Sequence, residues 1–456
     1  MFFLYRYRIL TRFYVGDKIK LLFKVNKTEI RYLEEVTYMI TKRDILEKSK
    51  HSAYYVSAFV KWTAFSLAVG LVGGGVGALF SHLISYVTDI RMANGWLIYL
   101  LPLGGIVIAL IYHLLKVEHK GTNDVFEAVR SEKQVPFSLA PAITIGAGIT
   151  HLLGGSAGKE GAALQLGGSI ASVISKVFRS DDKDRHILTI SGMAAVFAAV
   201  FGTPMGAAVF AVEVVSVGYV SLSALYPSFA SALVAYLVAV RLGVHPERFN
   251  VDIIPEISAE HLLKVVALAV VVAVVSIIFC LAMKYSHKLF EKYISNPYIR
   301  AVVGGVIVIA FTLLVGNRDY NGSGLHIIEG IFHGEDVSKI AFLLKIIFTA
   351  VTIGSGFKGG EIVPTLFIGA TLGFTVSDII GMPVALSAAI GMIALFASVT
   401  NCPIASVFLA VELFGAEGML YYALAIFVSF VLSGYFSLYT GQKIVFSKIK
   451  EETRGE

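Results

Sequence analysis

Apolar residues run through this chain in long blocks rather than in the alternating pattern of a half-buried strand. The blocks are interrupted mainly by glycines and short polar turns, and they include Ala64–Leu79, Trp96–Leu115, Leu139–Leu153, Leu262–Met283, Ala301–Val315 and Tyr421–Leu438. Several are long enough to cross a bilayer, which needs about 20 helical residues. A membrane β-barrel would instead show short alternating segments. The pattern therefore predicts an all-α integral membrane protein.

Composition supports the same prediction. Hydrophobic residues make up 56% of the chain, charged residues only 15%, and the mean hydropathy is +0.76, whereas a soluble domain has roughly a quarter charged residues. Cys280 and Cys402 are the only cysteines, so neither a disulfide framework nor a metal quartet is available. We expect no metal, no cofactor and no nucleic-acid partner. A membrane-embedded enzyme would need a nucleophile–base or metal constellation that we do not recognise here.

Charge divides the chain into four parts. Residues 1–50 are rich in Lys, Arg and aromatics and predict a cytoplasmic or interfacial segment; 51–245 and 246–450 predict two membrane repeats, the second with a final helix; 451–456 are a short tail. Lys and Arg are in excess on cytoplasmic flanks of membrane proteins, and they recur at 179–185 and 443–450. We therefore expect both termini to be cytoplasmic and the protein to lie in the cell membrane as a multi-pass protein.

Some apolar segments are too short or too glycine-rich to span a bilayer as continuous helices, for example Gly158–Val177 and Pro204–Val217. Such interruptions are tolerated only where the freed backbone groups face protein or a water-filled path. These segments predict helices that end inside the membrane.

The two halves of the chain match each other at one offset of 199 residues. The run Gly155–Gly161 overlays Gly354–Gly360, and at the same offset Pro204–Glu213 overlays Pro403–Glu412, so that proline and glutamate recur at identical spacing. A single register that joins two separated motifs indicates a duplication. Many transporters consist of such repeats, with the substrate near the midplane where discontinuous helices meet.

The glycine-rich turns before Ala162 and Ile362 suit an anion. A helix N-terminus presents unpaired N–H groups and a partial positive charge, so it can hold an anion without a charged side chain. Close helix packing through small residues is the alternative explanation, but it does not account for Lys159, Glu160 or Glu361.

Glu160 has the most specific chemistry. An ionised carboxylate is costly in a desolvated site, so this side chain can be neutral or charged depending on its surroundings. When charged it competes with an anion for the helix ends, and when protonated it releases them; it would then be both gate and proton carrier. A surface pair with Lys159 is the alternative for Glu160, and a simple helix start is the alternative for Glu361. We expect Glu213 and Glu412 to serve structure or to line the inner mouth.

These motifs resemble the CLC family of chloride channels and proton-coupled antiporters over roughly residues 55–450. Gly158–Gly161 is similar to the family's gating-glutamate motif, and Gly356–Gly360 with Pro364 is similar to its second anion loop. The resemblance implies a CLC-type fold of two inverted helical repeats, whose broken helices meet at mid-membrane, in a homodimer with one pathway per subunit. It also implies that Glu160 is the external gate and that the anion is bound by Lys159, Gly161, Glu361 and Ile362.

Three departures from the chloride-selective pattern bear on the substrate. Thr122 and Asn123 follow Gly121 where chloride members have a coordinating serine, Val214 follows Glu213 where chloride antiporters carry an internal proton glutamate, and Glu361 replaces an apolar residue. The combination is similar to the family's fluoride/proton antiporter branch. Fluoride is a strong hydrogen-bond acceptor, so Thr122, Asn123 and a protonatable Glu361 would supply donors to it.

We therefore predict a proton-coupled fluoride antiporter that exports cytoplasmic fluoride, with Glu160 and Glu361 in proton transfer. A chloride/proton antiporter or a chloride channel of the same fold is the alternative. Phe446 aligns with the family's inner-gate tyrosine, so we predict it as the inner gate; without a hydroxyl it would block the path but could not donate to the ion.

Overall fold

The computed structural model describes residues 27–118, 120–131 and 133–449, with side chains described from residue 52 onward. Residues 1–26 and the tail 451–456 therefore lie outside the described residues. No side chain of the predicted segment 1–50 is described. The chain forms two compact units, Met1–Trp62 and Thr63–Glu456. The described part of the first unit is the beginning of helix α1, and all other elements belong to the second unit.

Within the described residues the chain forms sixteen α-helices, one 3₁₀-helix (Gly95–Leu100) and two short strands. The helices are α1 Lys27–Ala93, α2 Leu101–Leu114, α3 Thr122–Ser131, α4 Leu139–Leu152, α5 Glu160–Val177, α6 Asp182–Phe201, α7 Pro204–Glu213, α8 Leu222–Arg241, α9 Ala259–Tyr293, α10 Pro297–Val315, α11 Leu325–Phe332, α12 Ala341–Gly354, α13 Ile362–Ile380, α14 Val384–Thr400, α15 Pro403–Phe414 and α16 Met419–Leu432; the strands are β1 Ser216–Val217 and β2 Lys443–Ile444.

Helix lengths confirm the prediction of a membrane protein with broken helices. Seven helical stretches among the described residues are long and apolar enough to cross a membrane: Ser52–Ala93 of α1, Gly95–Leu114, α6, α8, α9, α10 and α13. Six others, α4, α7, α12, α14, α15 and α16, are apolar but only 10–17 residues long. At about 1.5 Å per residue such short helices fall short of a bilayer. Their ends must be satisfied inside the protein.

The offset of 199 residues extends well beyond the two motifs in which it was found. Shifted by 199, helices α2 to α8 fall on or beside α10 to α16 in the same order. The ends of α6 and α14 illustrate the match, because Gly202 and Asn401 occupy equivalent places and both have left-handed backbone angles, with φ of 80° and 57°. Pro204 and Pro403 follow two residues later and start the next helix, where a missing N–H costs nothing.

Glycines also let the helices of each repeat pack closely. A methyl group on Gly167 of α5 would lie 2.2 Å from the carbonyl oxygen of Gly192 in α6, and one on Gly369 of α13 would lie 2.4 Å from that of Gly391 in α14. Backbones that approach this closely gain van der Waals contact, which is the main source of helix association in membranes. In each repeat, the helix that follows the glycine-rich loop is therefore packed tightly against the next helix, α5 against α6 and α13 against α14.

Glu213 and Glu412 join the two repeats reciprocally. The carboxylate of Glu213, at the end of α7, accepts hydrogen bonds from Ile404 N (3.1 Å) and Ala405 N (2.8 Å) in the first turn of α15. The carboxylate of Glu412, near the end of α15, accepts from Met205 N (2.9 Å) and Gly206 N (2.8 Å) in the first turn of α7. Each glutamate satisfies helix N–H groups that would otherwise lack partners. This is the structural role that we expected for the pair.

The predicted segment Pro204–Val217 is not one helix. Helix α7 ends at Glu213, and Ser216–Val217 form β1, which pairs in parallel with β2 of the C-terminal segment. This small ladder holds the C-terminal segment, residues 433–449, beside the end of α7.

Candidate functional site

The two glycine-rich loops meet directly. Gly158 N donates to Gly360 O, and Gly360 N donates to Gly158 O, both at 2.7 Å. Helix α5 starts two residues after Gly158, and α13 starts two residues after Gly360. The first turns of both helices, including the predicted anion-binding positions Gly161 and Ile362, are therefore brought to one place, where their N–H groups have no partners within their own helices.

Glu160 is the first residue of α5 and is completely buried, with 0% exposure. Neither carboxylate oxygen has a hydrogen-bond partner among the described residues. A methyl group on Gly158 would lie 2.8 Å from Glu160 Oε2, so the carboxylate lies against the loop that pairs with the second repeat. Its placement in the protein interior excludes the alternative of an exposed surface pair with Lys159.

Glu361 occupies the N-cap position of α13 and lies across the loop pair from Glu160. Its Oε2 atom is buried and lacks a hydrogen-bond partner among the described residues. A methyl group on Gly161 would lie 3.5 Å from this oxygen. No side-chain cap hydrogen bond forms at this N-cap, so any contribution of Glu361 to the helix start is that of its charge alone.

Tyr439 completes the site from the C-terminal segment. Its side chain is 3% exposed, its hydroxyl has no hydrogen-bond partner among the described residues, and it lies close enough to Glu361 and Glu160 for their charges to act on it. The ring of Phe126 in α3 meets it edge-on, with 5.1 Å between centroids. A buried hydroxyl thus lies in the same region as the buried carboxyl group of Glu160 and the buried Oε2 atom of Glu361. Our sequence reasoning did not identify Tyr439 or Phe126.

Phe446 lies elsewhere. Its side chain is 42% exposed, and its backbone nitrogen lies 3.5 Å from Val217 O beside the β1–β2 ladder. A methyl group on Gly218 would lie 2.8 Å from Phe446 Cβ, so the phenylalanine packs on the turn after α7. The structure thus places Phe446 beside the β1–β2 ladder, while the chain turns at Thr440–Gly441 and the buried aromatic residue of this segment is Tyr439.

Thr122 and Asn123 begin α3 near the same site but differ in their contacts. Thr122 Oγ1 accepts from Gln165 Nε2 at 3.0 Å, so its own proton is available to an ion. Asn123 Oδ1 accepts from Gly441 N at 2.8 Å, and its Nδ2 donates to Thr440 Oγ1 at 3.1 Å. Both polar ends of Asn123 are therefore used to hold the C-terminal segment.

The two lysines of the repeated motif have different partners. Lys159 Nζ lies 3.4 Å from Ser81 Oγ and 3.9 Å from Glu247 Oε1, in the loop between α8 and α9. Burial raises the pKa of Glu247, and the Lys159 ammonium opposes that effect. Lys358 instead lies over the ring of Tyr112, 4.3 Å from its centroid. Lys159 thus directly follows Gly158 of the loop pair, and its ammonium group forms an ion pair with Glu247.

This arrangement can exchange an anion for a carboxylate. Helix N-termini favour negative charge, and beside them lie the Glu160 carboxyl group and the Oε2 atom of Glu361, which have no hydrogen-bond partner among the described residues. A carboxylate and a small anion compete for the same donors, while protonation removes one competitor. Among the described residues no group of three or more His, Cys, Asp or Glu side chains is placed to hold a metal ion.

Comparisons with known proteins agree with this geometry. A family model described as "Voltage gated chloride channel" matches residues 104–434. A "Chloride/fluoride channel protein" of Pseudomonas syringae pv. tomato is 33% identical, over 85% of this chain and 87% of its own length. An "H(+)/Cl(-) exchange transporter ClcA" of Vibrio vulnificus is 25% identical, over 84% and 87%.

Solved structures have the same fold. A CLC-type fluoride/proton antiporter superposes with a TM-score of 0.82 at 30% identity, covering 85% of this chain and 98% of its own. A slow cyanobacterial Cl⁻/H⁺ antiporter superposes with a TM-score of 0.72 at 19% identity, covering 82% and 94%, which shows the fold alone. The predicted architecture of two inverted helical repeats with broken helices is confirmed.

Proposed function

The chain belongs to the voltage-gated chloride channel (CLC) family, and from this premise we propose that it is a fluoride/proton antiporter that exports fluoride from the cytoplasm. The observation that carries the proposal is the completely buried carboxyl group of Glu160, neither oxygen of which has a hydrogen-bond partner among the described residues, together with the buried and unpartnered Oε2 atom of Glu361. Both lie beside the joined N-termini of α5 and α13. A buried carboxylate without partners is costly unless it is protonated or receives donors. The site therefore favours states in which protons and anions replace each other.

Glu160 acts as gate and proton carrier in this proposal. When ionised, it occupies the N–H donors at the start of α5 and excludes the anion. When protonated, it releases them and the anion enters. Because one set of donors serves both, proton movement and anion movement are linked at this position. Gly161 and Ile362 contribute backbone donors at the two helix ends.

Glu361 and Tyr439 support fluoride as the substrate. Fluoride is a strong hydrogen-bond acceptor, so it gains more than chloride from hydroxyl donors and from a protonated carboxyl group. The Tyr439 hydroxyl and the Oε2 atom of Glu361 have no hydrogen-bond partner among the described residues, and Thr122 Oγ1 accepts from Gln165 of α5, so all three are available as donors to fluoride when Glu361 is protonated. The names of two similar proteins include fluoride. Tyr439 takes the inner-gate role that the sequence had suggested for Phe446.

Topology and assembly follow from surface features. Basic residues in the turn 179–185 and in the C-terminal segment support cytoplasmic placement of these parts and of both termini in the cell membrane. We divide the membrane region at residues 51–245 and 246–450.

An apolar groove of about 360 Å³ between α7, α8 and α15 is lined by Met205, Ala208, Val209, Leu225, Tyr226, Phe229 and Phe408. Such an apolar groove between helices suits the homodimer, with one pathway in each subunit.

Anion fluxes from proteoliposomes test the function. Vesicles loaded with fluoride or chloride at equal concentration are diluted into buffer without the anion, and anion release and proton uptake are recorded together. We expect fluoride release with stoichiometric proton movement, a chloride rate at least tenfold lower, and loss of proton coupling in Glu160→Gln. Equal fluoride and chloride rates would favour a chloride/proton antiporter. Release of anion without proton movement in the unmodified protein would favour a channel.

A further inference from the structure

The side chain of Gln442 lies at the junction of both repeats and the C-terminal segment. Its Nε2 donates to Val214 O at 2.9 Å and to Thr400 O at 2.8 Å, while its Oε1 accepts from Asn401 Nδ2 and Ser437 Oγ, both at 3.0 Å. An amide side chain has two donor hydrogens and an oxygen with two lone pairs. All four are used here.

The partners of Gln442 show what the bonds connect. Val214 follows α7 in the first repeat, whereas Thr400 and Asn401 end α14 in the second repeat. Ser437 belongs to the C-terminal segment itself, and its Oγ accepts from Tyr439 N at 3.1 Å. One side chain therefore joins the end of α7 in the first repeat and the end of α14 in the second repeat to Ser437, which precedes Tyr439 by two positions.

Asn123 of α3 holds the same segment through two further hydrogen bonds. It bonds Gly441 N and Thr440 Oγ1, and a methyl group on Gly441 would lie 2.9 Å from Asn123 Cβ. Tyr439 thus lies between two anchors, Ser437 and Gly441, which are held by Gln442 and Asn123. Its own hydroxyl makes no hydrogen bond within the described residues, so the anchors rather than a bond of the phenol set its position.

We propose that Gln442 is a positioning residue that keeps Tyr439 across the inner side of the ion path, so that inner closure depends on the contact between the two repeats. This inference rests on the proposed function. Gln442 touches neither carboxylate nor the ion route; it acts through Ser437 and Tyr439. When α7 and α14 shift relative to each other, the bonds to Val214 and Thr400 cannot all be kept, and the segment is released.

The consequence is a loss of coupling rather than a loss of transport. If Tyr439 is not held, an anion can pass the inner side while Glu160 is displaced, without a proton in exchange. One hydrogen bond changes a conformational population by roughly two- to tenfold. We therefore expect Gln442→Leu, which removes four bonds at similar volume, to raise the fluoride-to-proton ratio at least about threefold.

The test measures that ratio in proteoliposomes for the unmodified protein, Gln442→Leu, Tyr439→Ala, which removes the ring, and the two together. If Gln442 acts through Tyr439, the combined variant has a ratio no higher than the larger single effect, because interacting residues are not additive. Ser437→Ala is a milder second variant, which removes the link to Tyr439 N and is expected to shift the ratio in the same direction if Gln442→Leu does not fold.

Lys448→Met is the matched control. Lys448 Nζ donates to Phe430 O at 2.9 Å, so the variant loosens the same segment at a bond that involves none of Gln442, Ser437 and Tyr439, and we expect an unchanged ratio. The positioning role would be overturned if Gln442→Leu and Ser437→Ala both kept the fluoride-to-proton ratio of the unmodified protein. It would also be overturned if the effects of the Gln442 and Tyr439 changes on that ratio were additive. Absence of coupled fluoride flux in the unmodified protein would refute the proposed function instead, and the two failures are thereby distinguished.

Discussion

Replacement of Glu213 by alanine tests whether the reciprocal glutamates hold the two repeats together. Glu213 is 7% exposed and accepts two hydrogen bonds from the first turn of α15. The change removes the acceptor of Ala405 N, whose bond is buried, and of Ile404 N, whose bond is part-buried. A buried N–H group without a partner costs about 1–3 kcal/mol. The helix N-terminus also loses a favourable negative charge, worth about 0.3–2 kcal/mol.

Together these losses predict a destabilisation of roughly 2–5 kcal/mol for Glu213→Ala, after allowance for the cost of burying the carboxylate. Glu412→Ala is the matched control, since it removes the equivalent two bonds at a half-buried position. There water can replace part of the loss, so we expect only about 1–2 kcal/mol. Glu213→Gln keeps one acceptor oxygen and should lie between the unmodified protein and Glu213→Ala.

Thermal unfolding in detergent, followed by intrinsic fluorescence and by the fraction that remains monodisperse, ranks the three variants. The expected order of stability is unmodified, Glu412→Ala, Glu213→Gln and then Glu213→Ala. The reasoning would be refuted if Glu213→Ala unfolded at the same temperature as the unmodified protein, or if Glu412→Ala were the least stable.

Two further variants test the ion path itself. Gly158→Ala places a methyl group 2.8 Å from Glu160 Oε2, so we expect it to slow fluoride flux at least tenfold without unfolding the protein; Gly75→Ala, where a methyl group meets nothing within 4 Å, should transport normally. Tyr439→Phe removes the buried hydroxyl and should weaken fluoride binding more than chloride binding, by roughly two- to tenfold for the loss of one hydrogen bond. Equal weakening of both anions in an isotopic uptake assay would speak against a donor role for Tyr439.

The repeats and the broken helices could be predicted because their determinants are local. The glycine turns, the prolines at helix starts and the apolar blocks each dictate nearby backbone, and duplication repeats them at one offset. Glu160 and Glu361 could be singled out for the same reason, since a carboxyl group inside a glycine-rich turn has few roles. The pairing of Gly158 with Gly360 could not be predicted in this way, because the offset of 199 residues overlays Gly158 on Phe357 and Gly161 on Gly360.

Tyr439 could not be found in this way, because its position depends on distant contacts. Its segment has no helical or strand periodicity, and its place is set by Asn123 and Gln442, which are 316 and 3 residues away in sequence. The hydroxyl was the one available signal, since it distinguishes Tyr439 from Phe446. The partners of Glu213 and Glu412 were hidden for a similar reason, because each bonds a helix of the other repeat.

Fluoride binding measured against pH tests the central claim most directly, that the Glu160 carboxylate and the anion compete for the same backbone donors. Calorimetric titration of the purified protein with fluoride, at several pH values where the free ion predominates, gives the affinity. The account predicts that affinity falls as pH rises in the unmodified protein, because ionised Glu160 takes the donors, and that it is nearly independent of pH in Glu160→Gln. The same pH dependence in both proteins would contradict it.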